Sequence, residues 1–133
     1  MIIVDSNIIF SALLTADSSF LSIISDDSKK FASPYFLFIE MFKHKEKILK
    51  YSKIKEQDLL ITLDLLLSYI RFVPIEILSK SSRAIAYDLC KDIDENDSIF
   101  VALTLEMDGH LWTGDKKLIA GLQKKGFNKF YTP

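Results

Sequence analysis

The chain has 133 residues, of which 49% are hydrophobic and 26% charged, a balance that excludes disorder. At this length one domain, 1–133, buries roughly 65–70% of its unfolded surface and needs neither metal nor disulfide to fold. With 17 basic and 18 acidic residues the net charge is -1, so no global positive field draws nucleic acid and any such contact rests on a local patch.

Taken in chain order, the pattern alternates strands and helices. Residues 2–4 (IIV) are a β-branched run, read as a strand buried on both faces. Asp5 ends it, and Ser6 or Asn7 caps a helix through residues 8–14. Residues 17–27 (DSSFLSIISDD) read as a second short helix with Asp17 or Ser18 as cap, and residues 29–33 (KKFAS) as a short strand. Pro34 suits the first turn of a helix that runs through residues 35–52, with Phe36, Ile39 and Phe42 on one apolar face that continues loosely to Ile48 and Leu49. Residues 55–70 form another helix, apolar over a wide arc; Asp64 interrupts it, and it is short for a membrane span.

Residues 71–75 (RFVPI) are a short strand stopped by Pro74, and residues 79–90 are helical. The acidic loop "DIDEN" leads into an apolar helix at 97–107, then a strand, "GHLWT", at 109–113. A helix at 115–125 is ended by Gly126, and "NKFYT" at 128–132 reads as a last strand. This alternation predicts a three-layer α/β/α fold with a short, mostly parallel sheet and the N-terminal strand at its centre. The start "MIIVDSN" lacks the features of a secretion signal, and the single Cys90 permits no internal disulfide, so a cytoplasmic protein is expected.

Acidic residues recur at places where such a sheet collects function, the carboxyl ends of its strands. Asp5 follows the first strand, Asp115 follows "HLWTG", and Asp97 opens the helix after the acidic loop. Acids are favoured at helix N-termini in any protein, which accounts for any one of them without a function. Three at one sheet edge, with Glu40 amid the aromatic run "FLFIEMF", argue for more, because a lone carboxylate on an apolar face is expensive unless paired or metal-bound. Glu40 also fits an exposed position between two apolar stripes. Clustered carboxylates raise one another's pKa values, and a hard cation such as Mg²⁺ or Mn²⁺ relieves that cost.

"VDSN" at 4–7, Glu40 35 residues after Asp5, "DENDSIFVAL" and "LWTGD" stand in the order and spacing of one family. The chain resembles PIN-domain ribonucleases, and within them the VapC-like toxin branch. The resemblance implies that Asp5, Glu40, Asp97 and Asp115 form the catalytic acidic quartet, converge within reach of one metal pocket and bind one or two Mg²⁺ or Mn²⁺ ions. It implies a supporting role for Asn7 and Thr113. Asp94, three residues before Asp97, is a further candidate ligand that competes with Asp97. It implies a metal-dependent endoribonuclease acting on single-stranded RNA, an antitoxin protein as partner, and a homodimer. The wide apolar arc of residues 58–70 also favours the homodimer.

The remaining candidates are weighed on chemistry. Asp92 and Glu95 read as solvated loop acids. Lys43 and His44 either contact an RNA phosphate or belong to a solvated face, and His44 shares the helix face of Glu40. His110 reads as a turn residue, Trp112 and most other aromatics as core. Cys90 has no identifiable partner for nucleophilic catalysis. The basic stretch 116–129 is an RNA-backbone site or a solvated helix face. Two rivals remain. One is a non-catalytic PIN-like module that binds RNA or a partner protein. The other is a haloacid-dehalogenase-like phosphatase, which needs a second Asp two residues after the first, where this chain has Asn7.

Overall fold

Residues Ile2–Val4 form β1, and all three are buried, as a β-branched run covered on both faces requires. The structure is a computed structural model that describes residues 1–15, 18–52 and 55–133. After β1 come α1 (Ser6–Thr15), α2 (Ser18–Ile24), β2 (Phe31–Pro34), α3 (Phe36–Lys43), α4 (Lys45–Tyr51), α5 (Glu56–Ser68) and β3 (Ile70–Val73). A 3-10 turn at Ile75–Ile77 leads to α6 (Lys80–Cys90), and a second at Glu95–Asp97 leads to α7 (Ser98–Glu106), β4 (His110–Trp112) and α8 (Lys116–Lys124).

Among the described residues the strands form one parallel sheet in the order β3-β2-β1-β4, with Ile2 opposite both Phe31 and His110, and Val4 opposite Trp112. Alternation of side chains divides the core in two. Ile2, Val4, Phe31, Ile70 and Trp112 pack against α1 to α5 on one face. Ile3, Ala32, Val73 and Leu111 pack against α6 to α8 on the other. The result is the expected α/β/α sandwich with β1 in the interior. Burying each large apolar side chain of β1 contributes roughly 1.5–3 kcal/mol, so the strand that carries Asp5 is firmly anchored. Because every strand runs the same way, Asp5, Pro34, Pro74 and Thr113 all follow or end strands at one edge of the sheet. Ser33, wholly buried, fastens that edge by donating to the Val4 carbonyl at 3.0 Å.

Several local expectations are corrected. α1 begins at Ser6, so Asp5 precedes it in place of a Ser6 or Asn7 cap. Asp17, one of the two caps expected for α2, lies outside the described residues. Pro34 ends β2 and does not enter a helix: β2 pairs with β1 at Phe31 and Ala32 and no further, so the ring removes no ladder bond on that side. The long helix at 35–52 is two helices. His44 turns the backbone (φ -103, ψ 9), and its N–H is shared between the Glu40 and Met41 carbonyls at 3.2 Å each, the bifurcated bond typical of a helix end.

The apolar face expected from Phe36, Ile39 and Phe42 is not the buried one. Leu37 is the residue of α3 that is fully buried and Met41 packs beside it, whereas Ile39 is 52% and Phe42 76% exposed. α3 is apolar nearly all round, and the core it shares with α1, α4 and α5 takes the Leu37–Met41 stripe (i, i+4) instead. Of the continuation, Ile48 is buried and Leu49 is exposed. α5 buries Leu59 and Leu66, one line seven residues apart, and leaves Leu60, Ile61 and Leu65 exposed. The last strand shrinks to one bridge, Leu111 with Phe130, because β4 has only three residues to offer. His110 opens β4 and is not a turn residue. Among the described residues no helix is long and apolar enough to cross a membrane.

Candidate active site

Asp5 lies where β1 meets α1 and is only 2% exposed. Thr113, which follows β4, donates its hydroxyl to Asp5 Oδ2 at 2.8 Å. Asn7 Nδ2 lies 3.2 Å from the same oxygen and 3.2 Å from Thr113 Oγ1. Asn7 Oδ1 in turn accepts the Gly114 N–H at 3.1 Å. Ser6 completes the shell, its hydroxyl 3.4 Å from Asp5 Oδ1. Asn7 therefore laces the end of β1 to the turn after β4. Burial pushes the Asp5 carboxyl above its ordinary range; the hydrogen bonds from Thr113 and Ser6 oppose this, and the Asp115 charge adds a smaller upward push.

Asp115 and Asp97 both stand at helix starts, and the two are used differently. Asp115 caps α8: its Oδ1 accepts the Lys117 and Leu118 N–H groups at 3.0 and 3.1 Å. Its own N–H reaches Thr113 Oγ1 at 3.2 Å, which ties it to Asp5. Among the described residues its Oδ2 accepts nothing. Asp97 heads α7 but its side chain makes no capping bond. Neither of its oxygens accepts a hydrogen bond among the described residues, so helix capping does not explain it. Its carboxyl is pushed up to about 7, first by burial and then by the charges of Asp5, Asp94, Asp115 and Glu40.

Asp94 is exposed and fixes the turn before Asp97 by accepting the Asn96 N–H at 3.0 Å. Glu40 is nearly buried at its side chain, 16% exposed, and its Oε2 lies 3.9 Å from His44 Nε2. The His44 ring also meets Phe10 edge-on. Lys43 is exposed. Asp92 pairs with Lys125 and Glu95 is exposed, as expected of loop acids. Cys90 is buried and its thiol is pushed up to about 12, chiefly by burial, so no thiolate nucleophile is present.

The predicted acids thus share one electrostatic neighbourhood without forming a closed cage. Among the described residues no three Asp, Glu, His or Cys side chains stand close enough to hold a metal ion between them. That is looser than the convergence expected from the sequence. The donor set nonetheless fits a hard cation: carboxylate oxygen is the ligand type gathered here, and Asp97 and Asp115 keep oxygens that no protein donor occupies. Mg²⁺ suits an open arrangement, because it keeps several waters and is typically held by one or two carboxylates and the substrate phosphate. Ser6, expected only as a helix cap, and Ser33, expected only as part of a strand, are the two further side chains that hold this edge. Ser6 is signalled only by its place between Asp5 and Asn7, and Ser33 by a small polar residue inside an apolar strand.

Fold and site define a parallel α/β protein with an acidic centre at the carboxyl edge of its sheet. The chain matches the PIN domain over residues 3–131, nearly its whole length, and it belongs to the PIN-domain family. PIN domains are in general nucleases and in general depend on a divalent metal. No curated protein matches the chain.

Proposed function

We propose that this protein is a metal-dependent endoribonuclease that cleaves single-stranded RNA in the cytoplasm as the toxin of a toxin–antitoxin pair. The observation that carries the reading is Asp97: a half-buried carboxylate, free of any capping bond, in the field of four other acids. In this reading Asp5, Glu40, Asp97 and Asp115 hold Mg²⁺ or Mn²⁺, and Asp94 is an outer contributor. When bound, the cation neutralises the clustered charge and activates water for attack on the phosphodiester.

The chain's own residues prepare that chemistry. Thr113 and Asn7 fix the Asp5 carboxylate, so it enters the reaction already oriented. Asp115 anchors one oxygen on α8 and keeps the other free. The exposure of Lys43 and the nearness of His44 to Glu40 support a contact of these two residues with an RNA phosphate in this reading. No protein nucleophile takes part, in keeping with the buried Cys90 thiol.

The protein partners are part of the same proposal. Leu60, Ile61 and Leu65 of α5 leave an exposed apolar face that supports a homodimer. A groove of about 410 Å³ lined by Phe38, Phe42, Leu49 and Leu63 supports a further protein partner such as an antitoxin. The test is a panel of structured and unstructured RNAs incubated with Mg²⁺, Mn²⁺ or chelator. Cleavage of unstructured RNA that needs the cation and is lost in Asp5→Asn is expected. No cleavage under any metal would instead favour a PIN-like module that binds RNA or a partner protein.

A further inference from the structure

A second hollow, of about 450 Å³, opens where β2 and β3 end and α3 and α7 begin. We propose that it receives a nucleobase flanking the phosphate to be cut, and that it prefers bases carrying an exocyclic amino group. The proposal rests on the nuclease reading above for its substrate and on the hollow itself for its selectivity.

Position is the first argument. Phe36 and Ile39 line the hollow, and with Glu40 they occupy i, i+3 and i+4 of α3, one continuous face. Ile99 lines it from the first turn of α7, two residues after Asp97. The hollow therefore shares a helix face with Glu40 and reaches the start of α7, the helix that Asp97 heads, at the sheet edge where Asp5 and Thr113 also stand. A base placed there continues the strand whose phosphate lies at the acids.

Chemistry is the second. Phe36, Ile39, Ile75 and Ile99 give apolar walls, and Tyr35 is 54% exposed at the rim. Its ring is braced before any ligand arrives, 6.1 Å from Phe38 and 6.0 Å from Phe72 between centroids. A supported, open aromatic face is what base stacking requires. Among the described residues no Lys, Arg or His lines the hollow, and the guanidinium of Arg83 beside it is engaged with backbone. The one carboxylate is Glu76, which is exposed and has no hydrogen-bond or ion-pair partner among the described residues. Arg83 holds the turn that carries it, donating to the Ile75 carbonyl at 2.8 Å. An ionised carboxylate accepts from the amino group of cytosine or adenine and repels the carbonyl edge of uracil.

The test separates binding from cleavage. Fluorescence anisotropy is measured with labelled hexamers of A, C and U on the Asp97→Asn protein, which leaves them uncut. Hexamers of A and C are expected to bind about tenfold more tightly than U, a preference that Glu76→Gln removes. Tyr35→Ala is expected to weaken A and C by about tenfold, and Tyr35→Phe to retain them. In the cleaving protein Tyr35→Ala raises KM and leaves kcat. Equal binding of the three hexamers, or binding indifferent to Tyr35→Ala, overturns the proposal even if the wild type cuts RNA normally. Tyr35-dependent, amino-selective binding by a protein that cuts no RNA under any metal upholds the hollow and sinks the nuclease reading instead. Loss of a dimer in Tyr35→Ala with RNA binding unchanged assigns the surface to a protein contact and also overturns it.

Discussion

Asp97 starts α7 without capping it, so its carboxyl faces other acids in place of backbone N–H groups. Its pKa is near 3.8 in an unfolded chain and about 7 here. A raised value means that the folded state holds the proton more tightly. The associated stability is full below about pH 4 and disappears as the pH rises through 7. Asp5 shifts in the same direction. Metal-free protein should therefore melt at lower temperature at pH 8 than at pH 5. Asp97 is half-buried, so after allowance for solvent screening its share is on the order of 1 kcal/mol. Asp97→Asn is predicted to abolish cleavage, to raise the metal-free Tm at pH 8 by about 3–5 °C and to flatten the pH slope. Melting curves in chelator check this, and an unchanged slope would count against it. Thr113 gives the complementary case. Its hydroxyl donates to Asp5 and receives the Asn7 and Asp115 N–H groups. Thr113→Val should cost about 1–3 kcal/mol and most of the activity. Thr113→Ser should restore both; denaturant titration and an RNA-cleavage assay report the two effects.

Two glycines close neighbouring elements for different reasons. Gly126 follows α8 at φ +89, and a Cβ there would meet open space. Gly109 precedes β4, and a Cβ would lie 2.5 Å from the Met1 carbonyl oxygen, which is backbone and cannot swing away. Gly126→Ala is predicted to cost about 1 kcal/mol, from its backbone angle alone. Gly109→Ala should cost more, about 1–3 kcal/mol, because it pushes β1 from β4. Urea midpoints give the order, and the reverse order contradicts this packing. Elements of this kind were legible in the sequence where burial is two-sided. IIV at 2–4 has no polar face to misread, and Gly126 marks its helix end openly. α3 was not legible in the same way. "FLFIEMF" is apolar all round, so periodicity could not choose Leu37 over Phe36 and Ile39, and no Gly or Pro announces the turn at His44. The acids were legible as residue types at strand and helix ends. Their spacing was not, because it depends on how the Glu95–Asp97 turn holds Asp97 over the sheet edge. Tyr35 and Glu76 meet only because β2 and β3 are neighbours, a fact of topology that neither segment carries alone.

At the scale of the whole molecule, one parallel sheet gathers the acids at its carboxyl edge and leaves α5 with apolar residues facing outward. Leu60 and Ile61 are each more than 60% exposed, a poor ending for a lone subunit. The wild type is predicted to sediment as a dimer at micromolar concentration and Ile61→Glu as a monomer; a wild-type monomer would remove the dimer from this account. The central claim is that the acids at this edge hold a hard divalent cation. It is tested most directly by titrating Mn²⁺ into the wild-type and Asp97→Asn proteins and following free Mn²⁺ by electron paramagnetic resonance. Asp97→Asn is predicted to bind at least tenfold more weakly while circular dichroism shows an intact fold. Equal Mn²⁺ uptake by the two proteins, or none by either, would contradict the claim.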